Sequence, residues 1–170
     1  MVTYKEITDI LKTIATNHFL INSFHNGLLD EVDIEKMDSS NFPILYAEPT
    51  NANIDTGVLT YTFNIYIINQ LKEDLTNRDT VWSNTLEILQ DVVAEFKQNI
   101  STQSSGGDSG KKYSYVPNEV VLQLPISLTP FTARFANILT GWEATVSLDV
   151  NNTNNLCNAP VEPSDYNPST

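Results

Sequence analysis

Leu59, Tyr61, Phe63, Ile65 and Ile67 alternate strictly with Thr60, Thr62, Asn64, Tyr66 and Ile68. Successive side chains of an extended strand point to opposite faces, so a period of two held this long predicts a strand with one face in a core. At ~3.3 Å per residue, a strand over 58–69 spans roughly 35 Å. A domain of this chain length is only about 40 Å across by radius-of-gyration scaling, and common strands have about five or six residues. The strand must therefore cross the whole domain or project beyond it. Residues 42–48 read as its hairpin partner, with Pro43 near the start and Pro49 just after the end. A projecting hairpin has unpaired edges, and a partner chain is a natural cover for them.

The rest of the chain supplies helices for that sheet. Thr3 followed by Glu6 is a capping-box pair. Behind it Tyr4, Ile7, Leu11, Ile14 and His18 recur at helical spacing, which predicts a helix over 3–17. Phe19, Ile21 and Phe24 predict a strand or packed loop before Gly27, followed by an acidic, solvated excursion. A second helix is expected over 78–99, with Asn77 as its N-cap and an apolar face of Val81, Trp82, Leu86, Ile88, Leu89, Val92, Val93 and Phe96. Residues 101–112 are rich in Ser and Gly and read as a flexible exposed loop. A third strand is expected over 119–126, with Val120, Leu122, Leu124 and Ile126 on one face. A connection around Pro130 follows over 128–140, with room for one helical turn. In the last strand, 142–150, Trp142, Ala144, Val146, Leu148 and Val150 oppose Glu143, Thr145, Ser147 and Asp149. Residues 151–170 hold six Asn, three Pro and no Lys or Arg. Too little of this is apolar to order alone, so it reads as an arm or disordered tail. The expected fold class is α+β: residues 1–150 form one domain, a mostly antiparallel sheet with a long hairpin and two helices on one face, followed by an extended C-terminal arm.

Charge narrows the function classes. Twenty-one acidic residues against nine basic ones give a net charge of −12, which disfavours long-range attraction to phosphate backbones. Asp30, Glu31, Asp33, Glu35 and Asp38 crowd together with only Lys36 against them, and the read is a solvated face. Cys157 is the single cysteine, so no intrachain disulfide can form. The polar start lacks a signal-peptide core, and the longest apolar runs, such as 65–68, fall far below the ~20 residues of a membrane span. Together these predict a reducing, aqueous site of synthesis and no membrane contact.

No chemistry-bearing constellation emerges. His18 sits near the end of the first helix, where it reads as a cap or packing residue, and two scattered histidines with one cysteine do not make a metal site. Asp149, Asn151, Thr153 and Asn155 mimic the start of a calcium loop, but Asn154 stands where Gly is needed and Pro160 where Glu is needed. Gly106, Gly107 and Gly110 lack the strand and helix of a phosphate cradle, and no serine sits in a nucleophile elbow. The chain is therefore expected to be no enzyme, with no catalytic, cofactor or metal residues.

Several strings carry a resemblance: Thr3-Tyr4-Lys5-Glu6-Ile7, Thr129-Pro130-Phe131-Thr132 with Phe135, Leu139-Thr140-Gly141-Trp142, and Leu156-Cys157-Asn158 before Pro160. With the order helix, long hairpin, helix, loop and two strands, the chain resembles the tail-terminator and tail-completion proteins of tailed bacteriophages over about residues 1–160. Phages of Bacteroidetes, crAss-like phages among them, are the closest in style. The acidic stretch at 28–41 and the residues beyond Pro160 depart from that pattern. The resemblance implies a virion protein of the neck or tail, assembled in the host cytoplasm as a homo-oligomeric ring of roughly six- or twelve-fold symmetry. Its neighbours would be portal or connector proteins and tail proteins, with DNA passing through without specific binding. Under this reading Leu59, Tyr61, Phe63, Tyr66, Ile68, Trp142 and Cys157 are candidate subunit-interface residues. Ser104, Gly106, Asp108 and Lys111 mark a loop facing the lumen or a neighbour.

Two other classes remain open at this point. The acidic cluster suits a monomeric phage-encoded protein that blocks a host factor by mimicking nucleic acid. A hydrolase with a carboxylate site is the third, and it would lose activity without losing assembly when its acids are replaced.

Overall fold

The structure is a computed structural model that describes residues 2–28, 37–98, 115–117, 119–134 and 138–153. Its first helix, α1 (Tyr4–Asn17), opens with the expected capping box: Thr3 Oγ1 accepts the Glu6 N–H at 3.3 Å, and the Glu6 carboxylate accepts the Thr3 N–H at 2.7 Å. The Thr3 backbone N–H, then its hydroxyl, hold the Glu6 carboxyl below its ordinary range. His18 ends the helix, its N–H bonding the Ala15 carbonyl. Its Nδ1 accepts the Leu20 N–H at 3.2 Å, which leaves the proton on Nε2, 3.3 Å from Asp91 of the second helix.

The sheet begins with β1 (Ser23–Asn26), parallel to the first four residues of β2 (Ile44–Asp55). A turn at Thr56 and Gly57 leads into β3 (Val58–Gln70), antiparallel to β2 along its whole length. Gly57 holds a φ of +74°, a conformation open to glycine at little cost. Then follow α2 (Arg78–Gln98), β4 (Val120–Leu122), β5 (Leu128–Arg134) and β6 (Ile138–Asn151). Among the described residues the strand order is β1-β2-β3-β6-β4, with β5 also on β6. β4 and β5 share one edge of β6, β4 against Leu148–Val150 and β5 against Ile138–Ala144. The fold is α+β, with a mostly antiparallel sheet and two helices.

Both helices lie on one face, α1 against β1 and β2 and α2 across β3, β4 and β6. The core between them joins Ile7, Leu11 and Ile14 of α1 and Ile88, Leu89, Val92 and Phe96 of α2 to Phe63, Ile65, Ile67, Ala144, Val146 and Leu148 of the sheet. Full burial of one such aliphatic side chain contributes about 2 kcal/mol. Two tryptophans fasten α2 to the sheet. Trp82 Nε1–H donates to Thr140 Oγ1 at 2.8 Å, and Trp142 Nε1–H donates to the Trp82 carbonyl at 3.0 Å.

Four expectations need correction. Pro49 does not end the second strand: β2 runs on to Asp55 through a register shift between Pro49 and Asn51. Thr50 is the extra residue of that bulge, and a bulge on an otherwise open edge tolerates a proline that has no N–H to donate. The strand expected over 119–126 is only three residues long, and the connection expected around Pro130 holds a strand, β5, with no helical turn among the described residues. β5 lies at the edge of β6, where one side of the strand carries no ladder. Asn77 does stand at the N-cap of α2, where its carbonyl accepts the Val81 N–H at 2.9 Å, but its side-chain oxygen accepts the Lys72 N–H at 3.0 Å and secures the incoming loop instead of the first turn. Beyond these, the helix-free face is apolar at one end, where Phe42, Ile44, Tyr46, Ile68 and Leu139 form a second cluster flanked by Met37, Tyr66 and Phe131. The acidic cluster at 30–35, the loop at 101–112 and the segment from 154 onward lie outside the described residues.

Candidate functional site

The hairpin is covered unevenly along its length. β1 pairs with β2 only as far as Ala47, and the Gly27 N–H to Ala47 carbonyl bond at 3.2 Å closes that contact. Beyond it, among the described residues, nothing pairs with the outer edge of Pro49–Asp55. The burial pattern changes with the pairing, since residues 44–47 are buried and residues 50–55 are all exposed. The bulge at Thr50 resets the alternation. Leu45 and Ala47 face the helices before it, and Ala52 and Ile54, opposite Tyr61 and Leu59, share that face after it. Ile54 is 73% exposed at the hairpin tip.

Beside this edge lies a groove of about 400 Å³, lined by Tyr4, Pro49, Thr50, Asn51, Ala52, Tyr61, Thr62 and Phe63. The Tyr4 ring stacks on Phe63, with centroids 5.9 Å apart at 13°, and tilts against Tyr61 at 6.4 Å. Every described lining residue is uncharged. Burial, then the nearby Glu6 carboxylate, raise the Tyr61 hydroxyl above its ordinary range, while a bond to the Tyr4 backbone works the other way.

The opposite face of the outer hairpin is polar and internally satisfied. Thr60 Oγ1–H donates to Asp149 at 2.6 Å, Gln123 Nε2–H to the same oxygen at 2.8 Å, and Thr145 Oγ1–H to Asn64 at 2.9 Å. Thr62 and Ser147 hydroxyls share a bond of 3.2 Å. Tyr66 donates to Glu48 at 3.2 Å, and burial with the adjacent Glu48 charge pushes its hydroxyl up to about 12. Asp149 and Asn151, read as calcium-loop mimics, are thus strand residues on β6.

The candidate interface residues part company in three dimensions. Phe63 is buried beneath Tyr4, and Ile68 is buried in the second cluster. Leu59 and Tyr61 are half-buried on the helix side, Tyr66 is half-buried on the other face, and Trp142 is engaged with Trp82. Only Leu59, Tyr61 and Phe63 belong to the outer hairpin facing the groove, and Tyr61 and Phe63 line it. Cys157, Ser104, Gly106, Asp108 and Lys111 lie outside the described residues. The segment that sequence reasoning missed is residues 49–55. Its one signal was apolar Ala52 and Ile54 spaced by two beyond the proline.

A second groove, of about 570 Å³, runs between α2 and the β4–β5 link, and among the described residues Lys97 is its only charged lining residue. Among the described residues no three His, Cys, Asp or Glu side chains converge as metal ligands, and no helix is long and apolar enough to cross a membrane. No protein-family model matches the chain, and no curated protein matches it.

Proposed function

We propose that the chain is a structural subunit whose copies close into a ring at the head–tail junction of a tailed bacteriophage. There it joins portal or connector proteins to tail proteins and performs no catalysis. The observation that carries this reading is the outer edge of Pro49–Asp55, with which no described strand pairs. An unpaired strand edge is a template for another chain, and strand addition joins identical subunits without chemistry. A contact between two different patches of the same subunit closes into a ring when its rotation allows. The edge suits such a role because Pro49–Ile54 carries no charge in a chain of net −12, so pairing there brings no like charges face to face. DNA passes such a ring without specific binding. β2, β3 and β6 hold no Lys or Arg, which supports a sheet that does not grip phosphate.

The test combines composition with assembly. Mass spectrometry of purified particles should find the chain, and native mass spectrometry of the protein mixed with its neck partners should find a closed ring. Ile54→Glu adds a charge beside the open edge at an exposed position, so it should abolish the ring while leaving the circular dichroism spectrum unchanged. Absence of the chain from particles, or unaltered assembly in I54E, overturns the reading.

A further inference from the structure

The aromatic groove beside β2 has a ready occupant in the same chain. We propose that Pro160-Val161-Glu162-Pro163 of the C-terminal segment lies in the Tyr4–Tyr61 groove of its own subunit as a polyproline-type ligand. This goes beyond the ring and does not depend on it.

Position is the first argument. The last described residue, Thr153, lines a small depression with Val2, Glu119 and Asn151. The Asn152 N–H bonds the Gly57 carbonyl at 2.9 Å, which ties the exit to the hairpin tip. The segment therefore leaves beside Val2, two residues before Tyr4. Asn151 pairs with Val58, Thr153 lies two residues beyond it toward the tip, and the groove's Tyr61 and Ala52 pair lies three residues the other way along β3, about 16 Å in all along the strand. The six residues from Asn154 to Ala159 span up to about 20 Å when extended. Pro160 reaches the groove when that link runs back along the sheet nearly extended.

Chemistry is the second. Polyproline helices have about three residues per turn, so prolines three apart share one face, and such ligands dock on aromatic-lined grooves. Pro160 and Pro163 have that spacing, and Tyr4 and Tyr61 supply the aromatic surface, with Phe63 buried behind Tyr4. Tyr4 is 39% exposed despite stacking on Phe63, so an open ring face remains to be covered.

The same prolines exclude the competing placement on the open strand edge. Hydrogen-bonding positions alternate along a strand, so residues three apart face opposite sides, and one of the two prolines would be turned to β2 with no N–H to offer. The segment fills the groove and does not pair with the edge of β2.

The experiment uses the full chain. Nuclear Overhauser contacts are expected between the ring protons of Pro160 or Pro163 and those of Tyr4 and Tyr61. They should vanish in Ala52→Arg, which fills the groove, and in the double variant Pro160→Ala with Pro163→Ala. In the double variant, whose changes lie outside every described strand and helix, the Tyr4 and Tyr61 ring resonances should also move while those of β6 stay in place. Identical Tyr4 and Tyr61 resonances in the native chain and the double variant overturn the proposal. Contacts seen only between differently labelled copies in a mixed sample overturn it too, because they place the segment in a neighbour's groove.

Discussion

A β-carbon at position 141 would stand 1.8 Å from the Ile67 carbonyl oxygen and 2.9 Å from its carbon, both backbone atoms that cannot swing aside. Gly141 pairs with Ile68 on one side and Phe131 on the other, in the strand that binds both halves of the sheet. Gly141→Ala should therefore cost about 3 kcal/mol or more, measured as a fall in the urea midpoint at unchanged slope, while Gly57→Ala at the open turn costs about 1 kcal/mol. The string Leu139-Thr140-Gly141-Trp142 accordingly has a packing explanation. Thr140 is buried and receives Trp82, Gly141 lets two strands approach, and Trp142 reaches back to α2. None of this was readable from residue types alone, because a close approach between strands depends on which backbone lies opposite.

Helix α2 is held by that same pair of indoles, which meet edge-on at 6.5 Å with the Arg78 guanidinium 5.2 Å above Trp82. Trp82→Phe keeps a ring in the site but removes the donor to Thr140, whose hydroxyl still bonds the Phe131 carbonyl at 2.6 Å. The expected loss is about 1 to 2 kcal/mol, read as a lowered thermal midpoint with the helical dichroism retained. Both helices and the strands β3 and β6 were legible in the sequence. Each has an uninterrupted apolar period, and α1 adds the Thr3–Glu6 box. The outer half of β2 was not, because Thr50 shifts the alternation by one residue and Pro49 imitates a stop. β5 was hidden in the same way by Pro130, which an edge strand accepts and a central strand would refuse.

At the scale of the molecule, a net charge of −12 opposes bringing copies together. Raising ionic strength from about 0.01 M to about 1 M shortens the screening length from roughly 30 Å to roughly 3 Å. Self-association measured by sedimentation should therefore strengthen with salt. Weakening with salt would mean that opposite charges, rather than an uncharged strand edge, hold the contact. The candidate site was half legible at this scale. The long alternation pointed to the hairpin, and Tyr61 and Phe63 do line the groove. Tyr4 was assigned only to a helix face, because its approach to Phe63 follows from how α1 crosses the sheet.

The two ends of the ribbon differ in thickness. Near Ile44 and Ile68 the sheet is sandwiched between two apolar layers, whereas near Asp55 and Val58 one side is only a lattice of hydroxyls and amides facing water. Bending and local opening cost least where packing is thinnest, so the molecule behaves as a cantilever, clamped at its base and compliant at its tip.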